Sequence, residues 1–428
     1  MNSLKTDSLD FPEELQHKVF PSSTNASRAG KHPGKFRLTY ARRARAIALY
    51  LPQFHPIPEN DEWWGKGFTE WTNTAKAKPM FRGHYQPHIP ADLGFYDLRV
   101  PETRQAQAAL AHQYGIEGFC YYHYWFAGRR ILERPFNEVL HSGEPDFPFC
   151  LCWANQTWSG VWHGEPNRVL IEQTYPDRAD HEAHFRALFP AFADERYIRI
   201  DGKPVFLIFQ PNELPDSAAT LAFWRAMATD AGLGGLHIAG MAFSHDWDPA
   251  AHGFDARITQ PPWPDTRWIS RRQPLRWAKN KLRIWRGSPT ILSYRSFSER
   301  ELPAAPADDA WYPCLTHAWD NTPRSGCNGV VLDGATPQAF FRALNNAVAA
   351  LAHRPIERRL IFLKSWNEWA EGNHLEPDLR FGTEFLQAIA KALDVQASEE
   401  RDASDDRSCT ATRRSPTTTL RCKQILYL

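Results

Sequence analysis

The sequence predicts an α/β protein built as a single (β/α)8 barrel of the TIM type, with a long first βα loop and an insertion before strand 7. Three observations carry that expectation. Eight short apolar runs with strand character recur along the chain, most of them separated by segments of helical period. Several runs are apolar throughout, as parallel strands covered on both faces are. Polar and aromatic residues stand repeatedly where a run ends, which is where a barrel gathers its active site.

Residues 1–44 are polar and close on Lys31, Lys35, Arg37, Arg42 and Arg43, so they read as a partly disordered extension. They hold no long apolar segment, which argues against a secretory signal. No run reaches about 18 apolar residues, so nothing is expected to span a membrane and the expected location is cytoplasmic, with membrane-peripheral contact as a variant.

The barrel region is 45–394. Its first strand, 45–55, ends in Gln53 and His55. The Trp-, His-, Pro- and Gly-rich segment that follows to about residue 98 carries Glu70 and Trp71, and reads as a long structureless loop capping a site. Pro101 opens a helix that Gly115 closes. The second strand, 118–126, contains Tyr122, His123 and Trp125. A short helix over 135–141 leads to a third strand, 149–158, with Asn155 and Trp158 at its end. The helix after Asp180 presents Phe185, Leu188, Phe189 and Phe192, and Pro190 should kink or shorten it.

The fourth strand is 204–210, ending in Gln210. Asp216 or Ser217 caps a helix with Leu221, Trp224 and Met227 on one face. A fifth strand, 236–243, runs into His245, and a weaker sixth spans 256–260. The seventh, 313–321, ends in Trp319 and Asp320. Thr336 and Pro337 begin a helix, residues 360–366 supply the eighth strand with Trp366 and Asn367 at its end, and a last helix starts near Thr383. Residues 395–428 are Ser-, Thr-, Asp- and Arg-rich and read as a disordered tail.

The segment 264–312 is too long for a plain connection. Its basic residues, among them Arg267, Arg271, Arg272, Arg276, Lys281 and Arg283, interleave with Trp268, Trp277 and Trp285. Such a helix either lies solvated outside the barrel or contacts an acidic membrane surface.

Formal net charge is +1, which argues against a nucleic-acid partner. Tryptophan occurs 17 times, often beside Asn, Gln, His or Glu. A Trp-rich core is the plain explanation. A sugar site is the sharper one, because flat rings stack on the C–H face of a sugar while placed polar groups hold its hydroxyls. Of seven cysteines none forms a CxxC, and Cys120, Cys150 and Cys152 fall in apolar runs, which fits packing in a reducing compartment. His84 and His88 have an i, i+4 spacing, but Pro87 breaks the helix it would need, so no metal and no cofactor is expected.

Glu368 and Glu371 carry the chemistry. On a continuing strand they would point to opposite faces. If the strand breaks into a helical turn after Trp366 they share a face, about 5–6 Å apart at Cβ. Two acids at that separation can divide the work of a retaining glycosidase, one protonated and one ionised. A pair of surface acids is the plain alternative. The remaining strand-end residues named above are read as substrate contacts or as satisfied core groups.

The run from Asn367 to Gly372, followed by Leu375-Glu376-Pro377, resembles the end-of-barrel motif of glycoside hydrolase family 99 and of the related WbsX-type glycosyltransferases. Residues 50–55, 67–71, 121–126 and 153–155 resemble the WbsX type more closely, and the likeness covers about 45–394. It implies a metal-independent barrel acting on glycans. Carried over from the hydrolases, Glu371 would be general acid/base and Glu368 would assist the substrate's own 2-hydroxyl as nucleophile in retaining α-mannoside cleavage. Ala370 departs from the His found there in the hydrolases, which puts the hydrolase substrate in question. WbsX-type relatives are associated with O-antigen and other bacterial surface polysaccharides, which implies an oligosaccharide or lipid-linked glycan as substrate. The rival expectations are a non-catalytic glycan-binding barrel, an endo-glycosidase on α-mannoside-like chains, and a peripheral-membrane scaffold.

Overall fold

Eight parallel strands close on themselves: β1 (Arg45–Tyr50), β2 (Ile116–His123), β3 (Phe149–Trp153), β4 (Lys203–Ile208), β5 (His237–Ala242), β6 (Ala256–Thr259), β7 (Trp311–Thr316) and β8 (Leu360–Lys364). Each pairs with its neighbours in sequence, and β8 returns to β1 with Arg45 opposite Leu360 and Ala48 opposite Leu363. This computed structural model describes residues 42–160, 165–242, 246–259, 274–285, 287–301 and 309–394. The closed (β/α)8 barrel is the architecture the apolar runs predict.

The strands are buried on both faces, which is why they are apolar throughout. At Gly118 a Cβ would stand 2.3 Å from the Pro148 carbonyl oxygen, so only glycine lets β2 pass there. Below the barrel, Glu117 accepts from Arg45 (2.6 Å) and Arg42 (2.8 Å). Burial raises its pKa, but the two guanidiniums outweigh burial and hold it below the ordinary value.

The first loop is not structureless. It contains α1 (Pro58–Trp64) and α2 (Glu70–Lys76), folded over a cluster of Phe54, Trp71 and Tyr96. Next come α3 (Pro101–Gln113), α4 (Arg134–Ser142) and α5 (Arg178–Phe192). Helix α5 continues past Pro190 to Phe192; the proline sits in the last turn, where the N–H it lacks leaves little of the helix to disturb. Strand β3 ends at Trp153, and Trp158 belongs to a separate antiparallel hairpin, Trp158–Gly160 with Glu165–Ile171. Helix α6 (Ser217–Asp230) is capped by Asp216, whose carboxylate accepts from Ala219 N.

The insertion before β7 contains α7 (Pro274–Trp285), with Leu275 and Leu282 exposed, and α8 (Tyr294–Glu301). Between them Thr290–Ser293 pairs in parallel with Val330–Asp333, outside the barrel. Leu292, Tyr294, Phe297, Trp319 and Leu332 form a small second core beneath this pair. No expectation from the sequence covers it. After β7 come α9 (Thr322–Ser325), α10 (Pro337–Ala350), capped by Thr336 as expected, and α11 (Glu384–Leu393).

His245, residues 264–273, 286 and 302–308 of the insertion, residues 1–41 of the N-terminal extension and the C-terminal tail with Cys409 and Cys422 lie outside the described residues. Cys120, Cys150, Cys152 and Cys314 are buried, and Cys327 is exposed. Among the described residues, no helix is long and apolar enough to cross a membrane.

Candidate active site

The site begins where β8 stops. Trp366 N donates to Leu49 O (2.7 Å), and the Asn367 side chain then grips Leu51 twice, accepting from its N–H (2.8 Å) and donating to its carbonyl (3.0 Å). These bonds extend the β8–β1 pairing by a side chain where the backbone ladder ends. A 3-10 turn, Trp369–Glu371, follows. Gly372 then takes a left-handed φ of 55°, and a Cβ on it would stand 3.0 Å from Asp320 Cβ. The chain reverses, so that Asn373 and His374 pair back onto Glu368 and Asn367. This short reversal turns Glu368 and Glu371 into one cleft, as a helical turn after Trp366 predicts.

Both carboxyls are buried. Burial and then the Glu368 charge push the Glu371 pKa well above its ordinary value, although Arg324 opposes them. Burial alone would raise Glu368 too. There the Lys364 charge, a hydrogen bond from Glu371, the Arg324 charge and the Tyr122 hydroxyl hold the pKa below the ordinary value. The surroundings thus favour the protonated form of Glu371 and the ionised form of Glu368.

Two half-buried cations frame the pair. Arg324, on α9, donates from Nη1 to Glu371 Oε1 (2.5 Å) and from Nε and Nη2 to Glu70 Oε2 (3.1 and 3.0 Å). Burial opposes its charge, but Glu70, Glu371 and Glu368 outweigh burial and raise its pKa. Arg324 is placed by Asp320, which accepts from His84 Nε2 (2.6 Å), Gln86 Nε2 (2.6 Å) and Thr322 Oγ1 (2.6 Å) at the start of α9. Lys364 ends β8 with Nζ 4.9 Å above the Trp319 ring. Burial works against its charge as well, and Glu368 and Glu371 raise its pKa.

The cleft holds about 380 Å³. Its aromatic walls include Trp64, Phe68, Tyr124, Trp158, Phe209 and Trp319, and Gln53, Asn73, Gln156 and Gln210 offer polar groups. Of the residues the sequence nominates, Gln53, Glu70, Tyr122, Trp158, Gln210, Trp319, Glu368 and Glu371 line it.

The other described ones stand behind the lining. His123 Nε2 meets His184 Nε2 (2.9 Å), and burial brings its pKa down to about 3. Trp125 donates to Asp180 (3.1 Å) and stacks on His184. Asn155 braces Gln210 through both its N–H and its carbonyl (2.8 and 2.9 Å). Trp71 donates to Tyr96 O (2.7 Å) and packs on Trp369. Trp366 packs on Phe119, and His55 is buried with its pKa lowered by burial to about 4. Asp320 and Asn367 act through Arg324 and Leu51 as described. The wall beside the acids is thus Trp158 and Trp319, not Trp366 or Trp125.

The profile of the Glycosyltransferase WbsX family matches residues 46–389. The chain belongs to that family. It is 41% identical over 353 residues to the uncharacterized protein WxcX of Xanthomonas campestris pv. campestris, in two strains, covering 82% of this chain and 50% of that protein. The chain thus spans about half the length of the curated relatives it matches. A solved glycoside hydrolase-like protein superposes with a TM-score of 0.51 at 14% identity, over 83% of this chain and 95% of that one, and shares the fold. A GH99 endo-alpha-mannosidase from Bacteroides thetaiotaomicron gives a TM-score of 0.47 at 13% identity, over 82% and 96%.

Arg324 and Lys364 went unnominated in the sequence. Lys364 had a signal, as a lysine closing a buried apolar run. Arg324 had none in a single sequence. Among the described residues, His88, His374 and Asp378 cluster as metal ligands would, and they do not line the cleft.

Proposed function

We propose that this chain is a glycosyl-transferring enzyme of bacterial surface-polysaccharide assembly, acting on an oligosaccharide or lipid-linked glycan through acid/base chemistry on Glu371 and Glu368. What carries the reading is a pair of buried carboxyls that line one aromatic cleft, with surroundings that push the Glu371 pKa up and the Glu368 pKa down. A carboxyl kept protonated by its surroundings is poised as general acid, and its ionised neighbour as base or nucleophile.

In the forward step Glu371 gives its proton to the oxygen leaving the anomeric carbon. Glu368 takes the proton of the attacking hydroxyl, either the sugar's own 2-hydroxyl or that of an acceptor. Lys364 and Arg324 steady the negative charge left on the pair. Trp158 and Trp319 are placed to stack on sugar faces, and Gln53 and Gln210 to hold hydroxyls. The family assignment supports transfer. The motif shared with family 99 supports a second reading, retaining cleavage of α-mannoside-like chains, and the two differ in what accepts the sugar.

The test incubates wild type, Glu371→Gln and Glu368→Gln with nucleotide sugars plus an oligosaccharide acceptor and, side by side, with α-mannan oligosaccharides, followed by mass spectrometry. Elongated product from wild type, reduced by about 10²–10⁴-fold in Glu371→Gln, is the expected result. Shortened oligosaccharides instead select the second reading. Undiminished turnover in Glu371→Gln overturns the acid assignment, and glycan binding by wild type without turnover of either kind makes the barrel a binding protein.

A further inference from the structure

The i, i+4 histidines of the first loop do not act together. Both His84 nitrogens are engaged: Nδ1 accepts from Met80 N (3.0 Å) and Nε2 meets Asp320 (2.6 Å). His88 points elsewhere. Its Nδ1 lies 3.0 Å from His374 Nε2 and 3.2 Å from Asp378 Oδ2, and the last two atoms are 3.8 Å apart. All three residues are buried.

Each of these atoms is aimed by a neighbour. His374 Nδ1 donates to the Glu376 carbonyl (2.9 Å), which leaves Nε2 as the nitrogen with a free lone pair. Asp378 Oδ1 accepts from the N–H groups of Arg380 (3.0 Å) and Phe381 (2.7 Å), which turns Oδ2 toward the histidines. Such hydrogen bonds behind the ligands are what orients a metal site.

Without an ion the cluster is one donor short. His88 Nδ1 carries at most one proton and faces two acceptors, and no other donor among the described hydrogen bonds reaches Asp378 Oδ2. A tetrahedral zinc ion with bonds of about 2.0–2.1 Å spaces its ligands about 3.3–3.4 Å apart. The separations of 3.0, 3.2 and 3.8 Å bracket that value.

We propose that His88, His374 and Asp378 bind a divalent first-row transition ion, best matched by zinc, which ties the first barrel loop to the turn after β8. Two imidazoles and one carboxylate suit such an ion, with a fourth position left for water. The three residues line a cavity of about 80 Å³, apart from the catalytic cleft. The segments that carry His88 and Asp378 already meet at an antiparallel bridge between Pro90 and Asp378, where Ala91 N donates to Pro377 O (2.9 Å) and Leu379 N to Ile89 O (3.0 Å).

The ion reaches the chemistry indirectly. The His374 ring stacks on Trp369 at 3.7 Å and 8°, and Trp369 opens the turn that carries Glu371. The three ligands are therefore positioning residues.

The test uses the full untagged chain, stripped with a chelator and dialysed, then titrated with zinc alone. Plasma mass spectrometry should find about one zinc per chain in wild type and almost none in His88→Ala or Asp378→Asn, and zinc should raise Tm in wild type only. Cobalt in place of zinc should give the visible bands of a four-coordinate ion. Wild type that binds no zinc, or variants that bind it as wild type does, overturns the proposal. If neither variant folds, the cobalt spectrum of wild type decides: weak octahedral bands or none overturn it. None of these readouts depends on the glycan chemistry.

Discussion

Replacing Glu371 by Gln tests whether its carboxyl holds a proton in the folded protein. The amide keeps the shape of the protonated acid and an oxygen for Arg324, and it removes the titration. In the folded protein the Glu371 pKa lies well above 4.5, the ordinary value it has in the unfolded chain. Below that value both states hold the proton, and the group contributes nothing to the difference. As pH rises past it, the unfolded chain releases the proton and the folded chain keeps it. Folding then loses about 1.4 kcal/mol per pH unit, until pH exceeds the folded pKa. Glu371→Gln escapes that loss, so the variant is the more stable protein at neutral pH and its advantage grows with pH from about 4.5 upward. Glu368→Gln has the opposite sign. The folded pKa of Glu368 is depressed, so its ionised form stabilises the fold above 4.5, and that contribution is lost as pH falls through the folded value. This variant is the less stable at neutral pH, and its deficit closes in acid. The assay is urea unfolding of the three proteins from about pH 4 to pH 8, where m-values show whether the same transition is compared. A gap between wild type and Glu371→Gln that does not change with pH, or a wild type more stable at neutral pH, means that Glu371 is ionised and that no acid is poised there.

Three further outcomes are expected. Arg324→Met leaves Glu70 and Glu371 buried without their cation and should lower stability by about 3–5 kcal/mol in urea, with Arg324→Lys recovering only part because one ammonium cannot fork between two carboxylates. Asn367→Ala strips two hydrogen bonds from the Leu51 backbone and should cost about 2–3 kcal/mol, read as a fall in urea midpoint at unchanged m-value. Trp158→Ala removes a half-buried ring from the cleft wall and should weaken glycan binding about tenfold by calorimetry, with the far-UV circular dichroism unchanged.

The barrel was legible because burial on both faces writes itself as unbroken apolar runs, and all eight runs became strands. The acid pair was legible for a different reason: Gly372 follows Glu371 where the chain must reverse, and a reversal converts an i, i+3 spacing into a shared face. The rim residues were not separable in this way. Alternation tells inside from outside only while a strand lasts, and Gln53, Trp158 and Gln210 lie beyond the ends of β1, β3 and β4. There, loop contacts decide direction, so Gln210 lines the cleft while Asn155 braces it from behind. The outer strand pair escaped notice because each strand is only four residues long. Arg324 marks the limit most clearly. Its partners, Glu70 and Glu371, lie 254 and 47 residues away, and nothing local distinguishes it from any other arginine after a Thr-Pro helix start. Yet it is the charge that lets two loops carry acids into one cleft. A buried site with a surplus of carboxylates has to find its cations, so once Glu70, Glu368 and Glu371 are placed together, a search for them leads to Arg324 and Lys364. That inference runs from the site back to the sequence, and it could not have run the other way.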